Sequence, residues 1–98
     1  MSKDIIREEA RLIVLRELQQ QPNYAASDAL LQPVLESFGI ARPREWIREE
    51  LNYLDRVGAV TCTSAGSVTV ARLTAKGVEH VERRLVIEGV KRPSPAEA

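Results

Sequence analysis

The 98 residues carry 14 basic and 14 acidic side chains, a formal net charge of zero, with 44% apolar and 29% charged residues. This is the composition of one ordinary globular domain; it excludes a disordered chain and lacks the basic excess of a dedicated nucleic-acid binder. One cysteine, Cys62, excludes an internal disulfide, and with one histidine, His80, it is too little for a structural zinc site within one chain.

From the N-terminus, Met1-Ser2-Lys3-Asp4 followed by Arg7, Glu8 and Glu9 has no apolar signal-peptide core. A helix is expected from about Asp4 to Gln20. At about 100° per residue, Ile6, Ala10, Ile13 and Val14 share one side, and Leu12, Leu15 and Leu18 cover the others. A helix apolar nearly all round is buried on several sides, so this one should be the central post. Gln19-Gln20-Gln21-Pro22-Asn23 ends it, because Pro22 biases Gln21 toward extended geometry.

Ser27 is a good N-cap for a second helix, with Asp28 favourable in its first turn. Leu30, Leu31, Val34, Leu35 and Phe38 fall in one arc. Pro33 removes an internal hydrogen bond, so this helix is expected to bend or start late. Gly39 stops it. The third helix spans about 44–57, with Pro43 suited to its first position. Ile47, Leu51 and Leu54 form its core stripe; Trp46, Tyr53 and Val57 lie along one flank; Gly58 ends it.

A hairpin follows. Val60-Thr61-Cys62-Thr63 alternates, Ser64-Ala65-Gly66-Ser67 turns, and Val68 to Leu73 returns with apolar residues on both faces. Thr74 caps a last helix expected over about Ala75 to Glu88, with Val78, Val81 and Leu85 as its stripe. Gly77 in that helix signals a close neighbour, being poor helix material otherwise. Gly89 ends it, and residues 90–98 read as an extended or disordered tail after a domain of residues 1–89.

The order helix, helix, helix, hairpin, helix is that of a winged helix: an α+β, mainly α fold with three helices, a two-stranded wing and a C-terminal helix. In that fold the third helix reads the major groove. With Ile47 in the core, its outward face holds Glu45, Arg48, Glu49, Asn52 and Arg56. Arginine pairs with guanine and asparagine with adenine, so Arg48 and Asn52 are the candidate base readers. Arg42 and Arg44 at the helix start, and Arg56 and Arg72 at the base of the wing, are the candidate phosphate contacts. The alternative for the same face is a solvated surface of mixed charge, such as Glu45 with Arg48.

Val57 to Ala71 is uncharged throughout, whereas a backbone-gripping wing normally brings lysine or arginine to its tip. That run is also too short and too polar to span a bilayer, so a cytoplasmic protein without a membrane partner is expected. Arg83, Arg84, Lys91 and Arg92 are a second basic group, read as solvation or as further phosphate contacts. Val86 and Ile87 lie off the core stripe and are candidates for a homodimer interface. No catalytic constellation, phosphate loop or metal-ligand cluster is visible; Glu49 and Glu50 point different ways on a helix. No enzyme activity, cofactor or metal is expected.

Leu73-Thr74-Ala75-Lys76-Gly77 after a hairpin resembles the strand-to-helix junction of many bacterial winged-helix regulators. The chain as a whole resembles a small family encoded in Mu-like prophages and commonly labelled ArsR-like transcriptional regulators. The segments that carry this are Arg11 to Arg16, Leu30-Leu31-Gln32, Glu36-Ser37-Phe38-Gly39, Leu54-Asp55-Arg56-Val57-Gly58, the Leu-Thr-x-x-Gly junction, and Gly89-Val90-Lys91-Arg92-Pro93. The resemblance implies the winged-helix scaffold and binding to double-stranded DNA inside a bacterial host. It does not extend to metal sensing, because this chain has neither the cysteine pair nor the Asp/His set of such sensors. The two expectations are therefore a dimeric DNA-binding regulator of phage origin, or a winged-helix module that binds another phage or host protein.

Overall fold

The computed structural model describes residues 4–95. Four helices and a three-stranded antiparallel sheet follow the order α1 (Ile5–Gln20), β1 (Ala25–Ser27), α2 (Asp28–Ser37), α3 (Arg44–Arg56), β2 (Val60–Ala65), β3 (Val68–Leu73) and α4 (Ala75–Val81). The result is a mainly helical α+β fold.

Helix α1 is the post that its sequence predicts. Asp4 caps it by accepting the Arg7 N–H, and Ala10, Leu12, Ile13, Val14, Leu15 and Leu18 are buried. It touches α2, α3, α4, β1 and β3. Ser27 caps α2 by accepting the Leu30 N–H at 3.1 Å. That helix neither starts late nor stops at Pro33, which lies inside it on the exposed side. An exposed proline leaves its unpaired carbonyl partner within reach of water, which limits the cost. Pro43 stands just before α3 as its N-cap, one position earlier than expected, and its carbonyl accepts the Ile47 N–H at 3.2 Å.

The sheet holds one strand more than the hairpin. Its order is β1-β3-β2, with Ala26 and Cys62 flanking Ala71 in register. Ala25-Ala26-Ser27 carries no strand signal of its own; it pairs because β3 offers an open edge. The hairpin turn is tighter than the expected Ser64–Ser67. Strands run to Ala65 and from Val68, and Gly66 takes φ +62 at the first central position, as a two-residue loop requires. Val60, Ala71 and Leu73 face the core, which leaves Thr61, Thr63, Val70 and Arg72 on the outer face.

The junction after β3 clamps the end of α3. Thr74 accepts the Gly77 N–H and donates to the Gly58 carbonyl at 2.6 Å. Lys76 Nζ donates to the Val57 carbonyl at 2.8 Å. A Cβ on Gly77 would collide with the Ala59 carbonyl, so the close neighbour its sequence position signals is the backbone after α3.

Helix α4 ends at Val81, not at Glu88. Arg83 takes φ +66, the Arg83 N–H bonds the His80 carbonyl and the Arg84 N–H bonds the Glu79 carbonyl. This is a Schellman closure with arginine where glycine is usual. Contacts available only to a turned chain hold it. The fully buried His80 ring accepts the Ile87 N–H at Nδ1 (3.0 Å), which leaves its proton on Nε2 for the Lys91 carbonyl (2.9 Å). Arg83 Nη1 donates to the Pro93 carbonyl at 2.6 Å. Residues 90–95, expected as an extended or disordered tail, join neither a strand nor an α-helix but are tied to α1, with Val90 and Pro93 buried and the Lys91 N–H on the Glu8 carbonyl. Residues 1–3 and 96–98 of the expected domain and tail lie outside the described residues.

Candidate nucleic-acid interface

Helix α3 has four sides of different character. Ile47, Leu51 and Leu54 enter the core, while Glu45, Glu49, Asn52, Asp55 and Arg56 are exposed. The side chains of Asn52 and Arg56 make no hydrogen bond to protein among the described residues; the Arg56 guanidinium lies 5.6 Å from the Tyr53 ring centroid. Asp55 accepts the Cys62 N–H at 3.0 Å and so covers part of the open edge of β2.

The flank toward α2 and the hairpin carries Arg44 and Arg48, one helical turn apart. Both guanidiniums turn onto Asp28, whose side chain is 0% exposed. Arg48 Nε donates to Oδ2 at 2.7 Å; Arg44 donates Nε to Oδ2 at 3.3 Å and Nη2 to Oδ1 at 3.4 Å. The Thr69 N–H adds a bond to Oδ1 at 3.1 Å. Nη2 of each arginine also reaches the Ser67 carbonyl in the hairpin turn, at 3.1 Å for Arg44 and 3.5 Å for Arg48. Burial pushes the Asp28 carboxyl up, but the bonds from Arg48, Arg44 and Thr69 outweigh it and hold the group below the ordinary carboxylate range. Arg48 is thus turned to the flank, away from the outward face its spacing predicts.

The opposite flank packs on α1. Glu50, 1% exposed, accepts from Arg7 Nη1 and from Arg11 Nε at 2.7 Å. Arg11 stacks 3.7 Å from the Tyr53 centroid and donates Nη1 to the Gly89 carbonyl. Arg7 and Arg42 lie 4.9 and 5.3 Å from the Trp46 centroid. Glu49, by contrast, is 67% exposed, yet its Oε1 lies 3.6 Å from the same Arg7 Nη1 that Glu50 takes, so the two neighbouring glutamates differ in burial but meet at one guanidinium instead of pointing apart.

The remaining expected contacts are dispersed. Arg72, exposed on the outer sheet face, donates Nη1 to the Asn23 carbonyl at 2.7 Å and ties down the loop before β1. Arg84 is engaged by Glu79 and Glu82. The proposed dimer pair is divided: Val86 is 60% exposed, but Ile87 is 3% exposed and bonded to His80. Ile87 belongs to the core of its own chain, because the expected helical face carrying both residues does not form. Cys62 is half-buried, with Sγ on the Leu51 carbonyl; burial, then the neighbouring Asp55, pushes its thiol up to about 11.

Sequence reasoning missed Asp28 and Glu50 as hubs. A signal for Glu50 was present: it stands three residues after Ile47 and four before Leu54, on the buried side, with Arg7 and Arg11 one turn apart on α1. Asp28 had none beyond its place beside a cap, because its three partners come from two distant segments, α3 and β3.

Uncharacterized protein gp26 of Escherichia phage Mu is 34% identical to this chain over 95 residues, covering 97% of this chain and 98% of that protein. No protein-family model matches the chain, and no solved structure matches it.

Proposed function

The chain belongs to the family of gp26 of Escherichia phage Mu, and on that premise we propose that it is a winged-helix transcriptional regulator that binds double-stranded DNA. The observation that carries the reading is the arrangement around α3. The α2–α3 pair precedes a hairpin, the sheet order is β1-β3-β2, and one face of α3 is open to solvent along its length. That is the arrangement by which a helix enters the major groove while a neighbouring hairpin meets the backbone. Asn52 and Arg56, whose hydrogen-bonding groups are uncommitted, are the base-facing residues in this reading, with Arg42 at the helix start toward the backbone. Arg72 is a weaker contact, since the Asn23 carbonyl holds it. A homodimer on a palindromic site would form through Val86, without Ile87.

A second reading has specific support. Glu45 and Glu49 are exposed on the same face of α3, and the uncharged hairpin turn is tied back to α3 through Ser67. A protein partner tolerates both features better than a phosphate backbone does. Fluorescence anisotropy with the DNA flanking its own gene, at several salt concentrations, separates the two. The DNA reading expects sequence-dependent binding with ~3–5 counterion-releasing contacts per subunit. A folded protein that binds no DNA at low salt would transfer the assignment to the protein-interaction module.

A further inference from the structure

We infer that Arg44 and Arg48 form a built phosphate-binding site at the seam between α3 and the hairpin turn, and that Asp28 is the positioning residue that assembles it. The inference rests on the DNA reading for the source of the phosphate, a nucleic-acid backbone, and not for the site itself.

Two guanidiniums four residues apart on a helix repel each other and, on a surface, sample many rotamers. Here the buried Asp28 removes both problems. It draws Nε of each arginine inward, and the Ser67 carbonyl takes Nη2 of each. The inner edges of both groups are therefore spent on protein. Their Nη1 groups have no protein partner among the described residues, and the two side chains are 33% and 36% exposed. The two guanidiniums are held together by sharing Asp28 Oδ2 and the Ser67 carbonyl, so two unspent sets of donors are left near each other, which is what a tetrahedral oxyanion accepts from.

The charge count argues against simple attraction as the purpose of Asp28. Two arginines and one aspartate leave a local charge of +1, less than the arginines would offer alone. The carboxylate sacrifices field for orientation. It also joins the starts of α2 and α3 to the hairpin, because the Thr69 N–H donates to the same group. A phosphate at the seam would thus touch the unit that sets the angle between helix and hairpin.

The opposing accounts differ in sign, which makes Asp28→Asn the decisive variant. If only charge matters, removing a negative group tightens binding to any polyanion. If orientation matters, binding weakens although the protein becomes more positive. The experiment uses the full chain and four proteins: wild type, Asp28→Asn, Arg44→Lys and Arg48→Lys. The lysine variants keep the charge and lose the planar fork. Folding is checked by circular dichroism, DNA affinity by anisotropy across salt, and the site directly by arginine Nε NMR during titration with inorganic phosphate.

The expected result is that phosphate shifts the Arg44 and Arg48 resonances before those of Arg42 and Arg56. Each lysine variant should lose ~3–10-fold in DNA affinity, and Asp28→Asn should also lose affinity, with a salt slope lower by ~1 per subunit. Tighter or unchanged DNA binding by a folded Asp28→Asn overturns the inference, as does phosphate that leaves Arg44 and Arg48 unshifted. Should Asp28→Asn fail to fold, the lysine variants decide, and unchanged affinity in both overturns it. Phosphate shifts in a wild type that binds no DNA would uphold the site and remove the DNA reading.

Discussion

Replacing His80 with leucine tests how the C-terminal segment is held. Leucine fills most of the space of the ring, so a cavity contributes little; what is lost is two hydrogen bonds. The Ile87 N–H, on a residue 3% exposed, loses its acceptor at Nδ1. An orphaned buried donor costs ~1–3 kcal/mol. The Lys91 carbonyl loses its donor too, but an under-satisfied carbonyl, which keeps a second lone pair, is the smaller part of the cost. The expected loss is about 2–3 kcal/mol, a large fraction of the stability of a domain this size. Urea denaturation followed by circular dichroism measures it. Amide hydrogen exchange then locates it. The Ile87 and Val90 amides should exchange faster through a local opening that leaves the Leu15 amide protected. A loss under about 0.5 kcal/mol, or acceleration that is equal at all three amides, would show that the His80 bonds do not hold the C-terminal segment.

Leu15→Ala, at a fully buried position of α1, should cost about 2–4 kcal/mol in the same denaturation assay, and Ile13→Ala less, since Ile13 is 7% exposed and lines a surface groove. Gly89→Ala should destabilise on two grounds, a φ of +84 and a Cβ colliding with both the hydroxyl and the ring carbon Cζ of Tyr53; Tyr53→Phe in the same chain keeps the ring, loses the bond to the Glu88 carbonyl and should not restore the melting temperature. Because the folded Asp28 carboxyl is held low, its contribution to stability is present above its unfolded value, near ~3.9, and is lost as pH falls through the folded value. Acid denaturation should accordingly be shallower in Asp28→Asn below about pH 4. With its thiol raised to about 11, Cys62 should react slowly with a thiol reagent at pH 8 when folded and quickly in denaturant.

The parts of the fold legible in the sequence are those fixed by local pattern. The run Leu12-Ile13-Val14-Leu15 declares a buried helix whatever surrounds it. Ser27 and Thr74 cap because a hydroxyl before a helical stretch has few better uses. Three features escaped because their causes are distant in sequence. Strand β1 exists only as the partner of β3. Helix α4 stops at Val81 because a buried histidine finds its bonds in Ile87 and Lys91, and no glycine marks the turn. Arg48 leaves the outward face because Asp28, twenty residues earlier, offers a buried carboxylate. Periodicity names the face of a helix on which a residue stands; for a long flexible side chain it does not name where the charge ends up.

That distinction governs what α3 can do. Eleven of the fourteen basic residues are arginines, and many are committed to partners within the chain. Arg7 and Arg11 serve Glu50, Arg44 and Arg48 serve Asp28, Arg83 serves Pro93, and Arg84 serves Glu79 and Glu82. A guanidinium spent on a buried carboxylate still keeps donors for a ligand, but it no longer adds a full charge to the surrounding field. Around α3, Arg42, Arg44, Arg48 and Arg56 are offset by Asp28, Glu45, Glu49 and Asp55. A polyanion approaching this face gains little from long-range attraction, so any affinity must arise at contact, from donors already aimed. Binding built that way discriminates between partners by geometry and depends weakly on salt, because few counterions are released. Neutral net charge and an uncharged hairpin are then compatible with the regulator reading only if the helix-hairpin unit is rigid. The buried aspartate joining α2, α3 and β3 supplies that rigidity.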